Sequence, residues 1–385
     1  MELTLKQEEG LKIAVSRYRD HEPWTCLAGY AGTGKSTLVS FIIDALNINR
    51  EYVAYVAYTG KASLVLRDKG CPNATTAHKL LYNSYPRKDG TYVHVPKNPL
   101  DKDYQLIVVD EVSMLPKDIW ELLLSHRIPV IALGDPGQLP PIGEDNGVLA
   151  HPHIFLDEIM RQAQESEIIR LTMDIRAGKP LVPHRGTEVM VVEPTELSDS
   201  MMLWADQIIV GKNVTRHNVN FSMRKLLLDT DSKIPVDGDR VVCLRNDWNS
   251  VTQGGDVLVN GLIGVVNNIH TQEHMPFIDK GLNADFTPLD GEVGINTFNQ
   301  LFMDYKMFTE GEATINQYNF KRVPKLLHPH EFDYGYCITC HKSQGSEYDK
   351  VLVLEEFLRG DEHQRWLYTA ATRAAKKLVI VRNYR

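Results

Sequence analysis

Cysteine is scarce in this 385-residue chain: five residues, Cys26, Cys71, Cys243, Cys337 and Cys340, odd in number and mostly scattered. A disulfide framework needs paired cysteines and an oxidising compartment, so this usage suits a reducing compartment better. Long apolar runs are missing as well, and none approaches the roughly 18 residues that a membrane span requires. The opening stretch MELTLKQEEGLKIAVSRYRD is charged and helix-patterned, with no apolar core for a signal peptide. Together these absences predict a cytoplasmic protein without a membrane partner. Net positive charge is also lacking, since 42 Lys and Arg stand against 50 Asp and Glu for a balance of -8. That balance leaves open where cations concentrate; Lys212 to Lys225 and Lys376 to Arg385 are locally basic and could line a groove. There is no internal repeat and no low-complexity tract. What remains, 43% hydrophobic and 24% charged residues, is the composition of a globular protein whose length predicts two or three domains.

One short pattern invites a cofactor. Cys337-Ile338-Thr339-Cys340-His341 fits C-x-x-C-H, the motif of c-type haem attachment, and a C-x-x-C pair can hold zinc or cycle as a disulfide. Haem of that type is attached outside the cytoplasm. Zinc needs further ligands, and no second closely spaced pair exists. The two cysteines are therefore expected to be small apolar fillers of a strand.

The first third alternates short apolar runs with helical patterns: WTCLAGYA then a helix from Lys35, YVAYVAY then a helix over Lys61 to Lys69, LIVVDE then a helix over Lys117 to Ser125, and VIALGD. This spacing predicts a parallel sheet covered on both faces, an α/β fold. VMVVE, QIIVG, KVLVLEE and KLVIVR suggest a second such unit. Between them, Tyr85 to Lys97 carries Asp89-Gly90, a hairpin signal, and Pro235 to Asn268 holds short β runs that suggest an inserted antiparallel barrel. Gln272 to Glu312 is rich in Gly and Asp and yields no assignment.

Gly29-Tyr-Ala-Gly32-Thr33-Gly34-Lys35-Ser36 satisfies G-x-x-x-x-G-K-[ST] between an apolar run and a helix, followed by Thr37. Such a loop turns its amides inward at a helix N-terminus and cradles phosphate, with Lys35 neutralising charge and the Ser36 hydroxyl ligating Mg²⁺. Asp110 and Glu111 end the LIVVDE strand, where one carboxylate can hold the Mg²⁺ shell and the other can take a proton from the attacking water. Gln138 of GDPGQ can orient water beside the γ-phosphate. Arg161 in EIMRQ and Arg373 in YTAATRA are candidates for stabilising charge on the transferring phosphoryl group. These residues describe a Mg²⁺-dependent ATPase.

In order along the chain, LTLKQEEGLK, GYAGTGKST, AYTGKAS, ATTAHKLLY, VVDEVSM, ALGDPGQLPPI, EIMRQ, IIVGKNVTRHNVN, YCITCHKSQGSEYDKVLV and WLYTAATRAAKKLVIV resemble the motifs of superfamily-one DNA helicases of the RecD/Dda-like branch. The resemblance covers nearly the whole chain. It implies a P-loop fold of two RecA-like domains: residues 1–180 as the first, containing a β-hairpin pin at about 83–98, residues 181–230 plus 331–385 as the second, and 231–330 as an inserted SH3-like small β-barrel. It implies that Gln7 reads the adenine edge, that Gly345 and Glu347 contact nucleotide sugar and phosphate, and that Thr59, Lys61, Thr76, His78, Asn213, Arg216, Thr339 and His341 contact single-stranded DNA. The implied activity is ATP-driven 5′→3′ translocation with duplex unwinding, by a monomer acting on forked DNA in replication, recombination or repair alongside proteins such as a single-strand-binding protein. The alternative is a translocase that displaces bound proteins with little unwinding.

Overall fold

The computed structural model describes residues 3–86, 92–140, 144–160, 165–254, 257–275, 278–289, 292–310, 329–358 and 360–384. They divide into two compact units. One comprises Met1–Tyr82, Pro96–Leu197 and Ser343–Arg385; the other comprises Asn83–Val95 and Ser198–Lys342. The last forty-odd residues thus group with the beginning of the chain.

The strands of the first 160 residues are Trp24–Gly29 (β1), Val53–Ala57 (β2), Ala74–Thr76 (β3), Tyr82–Pro86 (β4), Tyr92–Pro96 (β5), Leu106–Val109 (β6), Val130–Gly134 (β7) and Ile154–Leu156 (β8). Six of them form one parallel sheet in the order β3-β2-β6-β7-β1-β8. Strands buried on both faces need apolar residues at every position, which is why LIVV and VIALG run without polar interruption. Alternate residues feed two cores. Leu27, Val53, Tyr55, Leu106, Val108 and Ile131 pack with Leu38, Ile42 and Ile43 of the helix Lys35–Ala45. Cys26, Val56, Ile107, Val109 and Ala132 pack instead with Ile119, Trp120 and Leu123 of the helix Lys117–Ser125. The chain enters through the helix Leu5–Arg19, whose N-terminus is closed by a reciprocal capping box between Thr4 and Gln7.

The remaining strands are His184–Arg185 (β9), Val189–Val192 (β10), Gln207–Val210 (β11), Arg240–Cys243 (β12), Asp247–Val251 (β13), Val257–Leu258 (β14), Ile263–Met275 (β15), Ile278–Pro288 (β16), Phe298–Asp304 (β17), Phe332–Tyr334 (β18), Cys337–Thr339 (β19), Tyr348–Leu354 (β20) and Ala374–Val381 (β21). In the first unit β20, β21 and β10 run parallel, with β9 antiparallel at the edge. The helices Glu167–Arg176 and Asp361–Ala371 accompany them, joined where Gln364 Nε2 donates to Ile175 O at 3.0 Å.

The second unit pairs β11 with β19 in parallel and holds the helix Asn213–Leu228 against them through Asn220. That side chain donates to Cys337 O and accepts from Cys337 N, both at 2.9 Å. Next comes an antiparallel sheet of five strands in the order β17-β16-β15-β12-β18, around Val241, Leu282, Phe286, Phe298, Phe332 and Tyr334. The long β15 and β16 and the strand β17 occupy most of the stretch from Gln272 to Glu312 that sequence left unassigned. An irregularity in pairing between Asn267 and His270 shifts the register and interrupts the two-residue alternation. Arg224 and Asp239 form a fully buried ion pair in this unit. Asp239 also accepts from Val236 N and Tyr336 Oη, while Arg224 donates to the carbonyls of Ser232 and Ile234. The strands β4 and β5 pair as a two-stranded sheet. Asp89 and Gly90 lie outside the described residues.

Candidate nucleotide site

The phosphate loop begins where β1 ends. Gly32 and Gly34 have φ of 77° and 78°, a left-handed conformation that side chains disfavour, and the helix starts at Lys35. At Gly34 a Cβ would lie 2.5 Å from Met160 Sδ and 2.6 Å from Gln7 Nε2, so bulk is excluded as well as strain. Thr33 is buried and its hydroxyl donates to Tyr30 O at 2.8 Å. The Lys35 ammonium donates to Gly29 O at 2.7 Å and Tyr30 O at 3.1 Å, which curls the loop around it. Ser36 is exposed and Thr37 half-buried on the first turn. Gln7 is buried against the same loop: its Oε1 accepts from Thr4 N at 3.0 Å and its Nε2 donates to Thr33 O at 3.2 Å.

Asp110 follows β6, and its carboxylate accepts from Glu111 N at 3.1 Å. Burial, then the neighbouring Glu111 charge, push the Asp110 carboxyl up to about 6, against a smaller downward pull from Lys35. Glu111 takes φ 52° and ψ 50°, a left-handed backbone on a non-glycine residue, as the chain turns into the short 3-10 helix Val112–Met114. Burial also raises the carboxyl of Asp135, the residue after β7.

Gln138 and Arg373 converge on Glu111, although 27 and 262 positions separate them from it in the sequence. Both are over nine-tenths buried. With its amide oriented to satisfy both neighbours, Gln138 donates to Glu111 Oε2 at 2.9 Å and accepts from Arg373 Nη2 at 3.1 Å. Arg373 Nη1 stands 3.8 Å from Glu111 Oε1. The guanidinium is further held by Thr369 O at 3.1 Å, Ser346 O at 3.3 Å and Thr372 Oγ1 at 3.1 Å. A carboxylate, an amide and a guanidinium are thus fixed in one hydrogen-bonded row, an arrangement with the chemistry to orient water and neutralise charge. The two ends of the row, Glu111 and Arg373, border a cavity of about 290 Å³ that Ser36, Asp110 and Gly345 line with them. Gly345, with φ 72°, approaches the helix Gly60–Asp68 so closely that a Cβ would sit 2.9 Å from Ala62 Cβ. Glu347 lines the same cavity and pairs with Lys69 at 3.3 Å, both carriers well exposed. Arg161 lies outside the described residues.

The residues expected to meet a nucleic-acid strand fall in both units. In the first, Thr59 caps the helix Gly60–Asp68 by accepting from Ala62 N at 3.2 Å, and the Lys61 ammonium lies 4.5 Å above the Tyr348 ring. Thr76 is buried and caps the short helix Ala77–Leu81, while His78 is exposed and stacked on Tyr82 at 6.0 Å. In the second, Asn213 is exposed and accepts from Arg216 Nε at 3.1 Å. Arg216 itself is buried in an ion pair with Asp333, so its guanidinium is not on the surface. Thr339 is buried at the end of β19, and His341 is half-buried in the turn Cys340–Ser343. Cys337 and Cys340 are fully buried and form no disulfide, and among the described residues no cluster of His, Cys, Asp and Glu could hold a metal ion. Asp135, Asp333 and Tyr368 escaped the sequence reading, although the first and last sit inside quoted motifs; each acts through a partner distant in sequence.

Two family models match the chain, an AAA domain over residues 5–189 and a UvrD-like helicase C-terminal domain over residues 334–381. The ATP-dependent RecD2 DNA helicase of Deinococcus radiodurans is 27% identical over 374 residues, covering 90% of this chain and 45% of its own length. The ATP-dependent DNA helicase dda of Enterobacteria phage T4 is 25% identical over 257 residues, covering 60% of this chain and 58% of its own. The chain therefore spans about half the length of these relatives. A Pif1 helicase solved in work on unwinding at forked dsDNA superposes with a TM-score of 0.55 at 18% identity, over 99% of this chain and 92% of its own, and shares the fold. The ordered motifs, the parallel-sheet P-loop architecture and these matches agree: the chain carries an AAA domain followed by a UvrD-like helicase C-terminal domain, is similar in sequence to the RecD2 and Dda helicases, and shares its fold with Pif1.

Proposed function

We propose that this protein is an ATP-driven motor that moves 5′→3′ along single-stranded DNA and separates duplex ahead of it. The observation that carries this reading is the row Glu111–Gln138–Arg373, whose two ends line a cavity with Ser36 and Asp110. In the proposed mechanism the loop amides and Lys35 bind the phosphates. Gln138 orients water against the γ-phosphorus, Glu111 takes its proton, and Arg373 neutralises charge on the leaving phosphoryl oxygens. A Mg²⁺ ion fits the donor set, because the exposed Ser36 hydroxyl and the crowded Asp110 carboxylate line one cavity; when bound it supplies charge neutralisation between the phosphates. Ser36 and Asp110 would hold it. Gln7 ties the loop to the first helix and reads the adenine edge, and Gly345 and Glu347, which line the cavity, contact nucleotide sugar and phosphate.

The domain roles in this reading are a first RecA-like domain over 1–180, a second over 181–230 plus 331–385, the β4–β5 pair as the duplex-splitting pin, and 231–330, which supplies four of the five strands of the antiparallel sheet, as an SH3-like module. Thr59, Lys61, His78, Asn213 and His341 offer polar groups to the strand. The buried Thr76, Thr339 and Arg216 hold those contacts in place, Arg216 by fixing Asn213. Alternating closure and opening around ATP would ratchet the strand, and binding would weaken with salt.

A forked duplex with either a 5′ or a 3′ single-stranded tail tests this directly. The expected result is ATP-dependent strand separation of the 5′-tailed substrate by the wild type and none by Lys35→Ala. Separation confined to 3′-tailed substrate would reverse the polarity, and an active Lys35→Ala protein would remove the phosphate loop from the mechanism.

A further inference from the structure

Helix Asp361–Ala371 does more than carry Arg373 at its end. Tyr368 on this helix is only 1% exposed, and its hydroxyl makes two hydrogen bonds to segments more than 230 residues away. It donates to Asp135 Oδ2 at 2.7 Å and accepts from Ala31 N at 3.0 Å. Ala31 lies inside the phosphate loop, so one loop amide is committed to Tyr368 and the rest of the loop is oriented around it. The other Asp135 oxygen accepts from Gly137 N at 2.8 Å and shapes the turn that presents Gln138. The next residue on the helix, Thr369, accepts from Leu139 N at 2.9 Å on the far side of Gln138, and its carbonyl takes Arg373 Nε at 3.1 Å. Ring packing is equally close, since a Cβ on Gly137 would lie 3.0 Å from Tyr368 Cε1. Two consecutive helix residues therefore grip the chain on both sides of Gln138, and one of them also fixes the loop that carries Lys35.

We infer that Tyr368 is a positioning residue of the hydrolytic site: its hydroxyl, through Asp135, sets the register between the phosphate loop, Gln138 and Arg373. The inference rests on the ATPase reading above. Tyr368→Phe keeps the ring and removes only the hydroxyl, leaving Asp135 and the Ala31 amide each one partner short. A ring that merely filled space would tolerate this change.

The test measures ATP hydrolysis at saturating single-stranded DNA together with amide exchange of the peptide spanning the phosphate loop. For Tyr368→Phe the expected kcat loss is roughly 10- to 100-fold, the range open to a hydrogen bond on a charged group. KM for ATP should move less than about threefold, because the loop amides other than Ala31 keep their ligand-facing role. Asp135→Asn should lose a similar factor, and the double variant should lose no more than either single one, as expected for residues acting through one bond. Exchange at the loop should accelerate in Tyr368→Phe. A kcat within twofold of wild type, additive losses in the double variant, or unchanged loop exchange would each overturn the assignment. Wild-type protein that hydrolyses no ATP would instead sink the parent reading, and loop exchange alone would then decide the Tyr368 link.

Discussion

Replacing Asp110 with Asn should stabilise the nucleotide-free protein while abolishing its turnover. The Asp110 carboxyl is raised from 3.8 to about 6, first by burial and then by the Glu111 charge. An acid whose folded value lies above its unfolded one binds more protons folded than unfolded, so its contribution to stability falls as pH rises between the two values. Above about pH 6 the folded protein pays for a carboxylate it holds poorly, and at ~1.4 kcal/mol per tenfold in proton affinity the ceiling is about 3 kcal/mol. Asn keeps the oxygen that accepts from Glu111 N and carries no charge. At ~2–4 °C per kcal/mol for domains of this size, the melting midpoint of Asp110→Asn should exceed wild type by up to about 6–12 °C at pH 7.5. The gap should close as pH drops towards 4. Scanning calorimetry or fluorescence melting at several pH values reads this directly, and Mg²⁺ should raise the midpoint of wild type but not of the variant. A variant less stable than wild type at pH 7.5, or a gap with no pH dependence, would refute the argument.

Glu111→Gln should lower kcat roughly 100- to 10,000-fold, the usual worth of a positioned base, with nucleotide affinity kept because Gln138 still finds an acceptor. Stopped-flow hydrolysis and equilibrium nucleotide titration separate the two. Arg224→Met should destabilise the second unit by about 3–5 kcal/mol, since it leaves the wholly buried Asp239 without its cation; adding Asp239→Leu should recover much of the loss in denaturant melts. Backbone N–H bonds from Glu188 and Val189 hold the Glu167 carboxyl down to about 2. Its stabilising contribution is present above the ordinary carboxylate value and is lost as pH falls through the folded one, so Glu167→Gln should melt lower than wild type at pH 7 and converge with it near pH 2.

The parallel sheet was legible because strands buried on both faces have no polar positions, and LIVV or VIALG can be little else. The phosphate loop and the acidic strand end were legible because their chemistry is contiguous in sequence. The row Glu111–Gln138–Arg373 was only half legible: each member was named, but the mutual hydrogen bonds depend on a fold that closes 262 positions. The burial of Arg216 was not legible, because its partner Asp333 lies 117 residues onward and draws the guanidinium inside. The register irregularity at Asn267 to His270 hid the second half of β15, whose first half reads as a β run. Cys337 and Cys340 fit C-x-x-C-H as letters, yet both side chains are fully buried.

The left-handed backbone at Glu111 sets two selective landscapes against each other. Such a conformation costs an L-residue roughly 1–2 kcal/mol that glycine does not incur, and Asn tolerates it better than Glu. A library at position 111 sorted only for folded protein should therefore drift toward Gly and Asn. The same library sorted for hydrolysis should return Glu. Divergence between the two sorts would mark this position as one where chemistry alone maintains the residue and a descendant freed from turnover would lose it early.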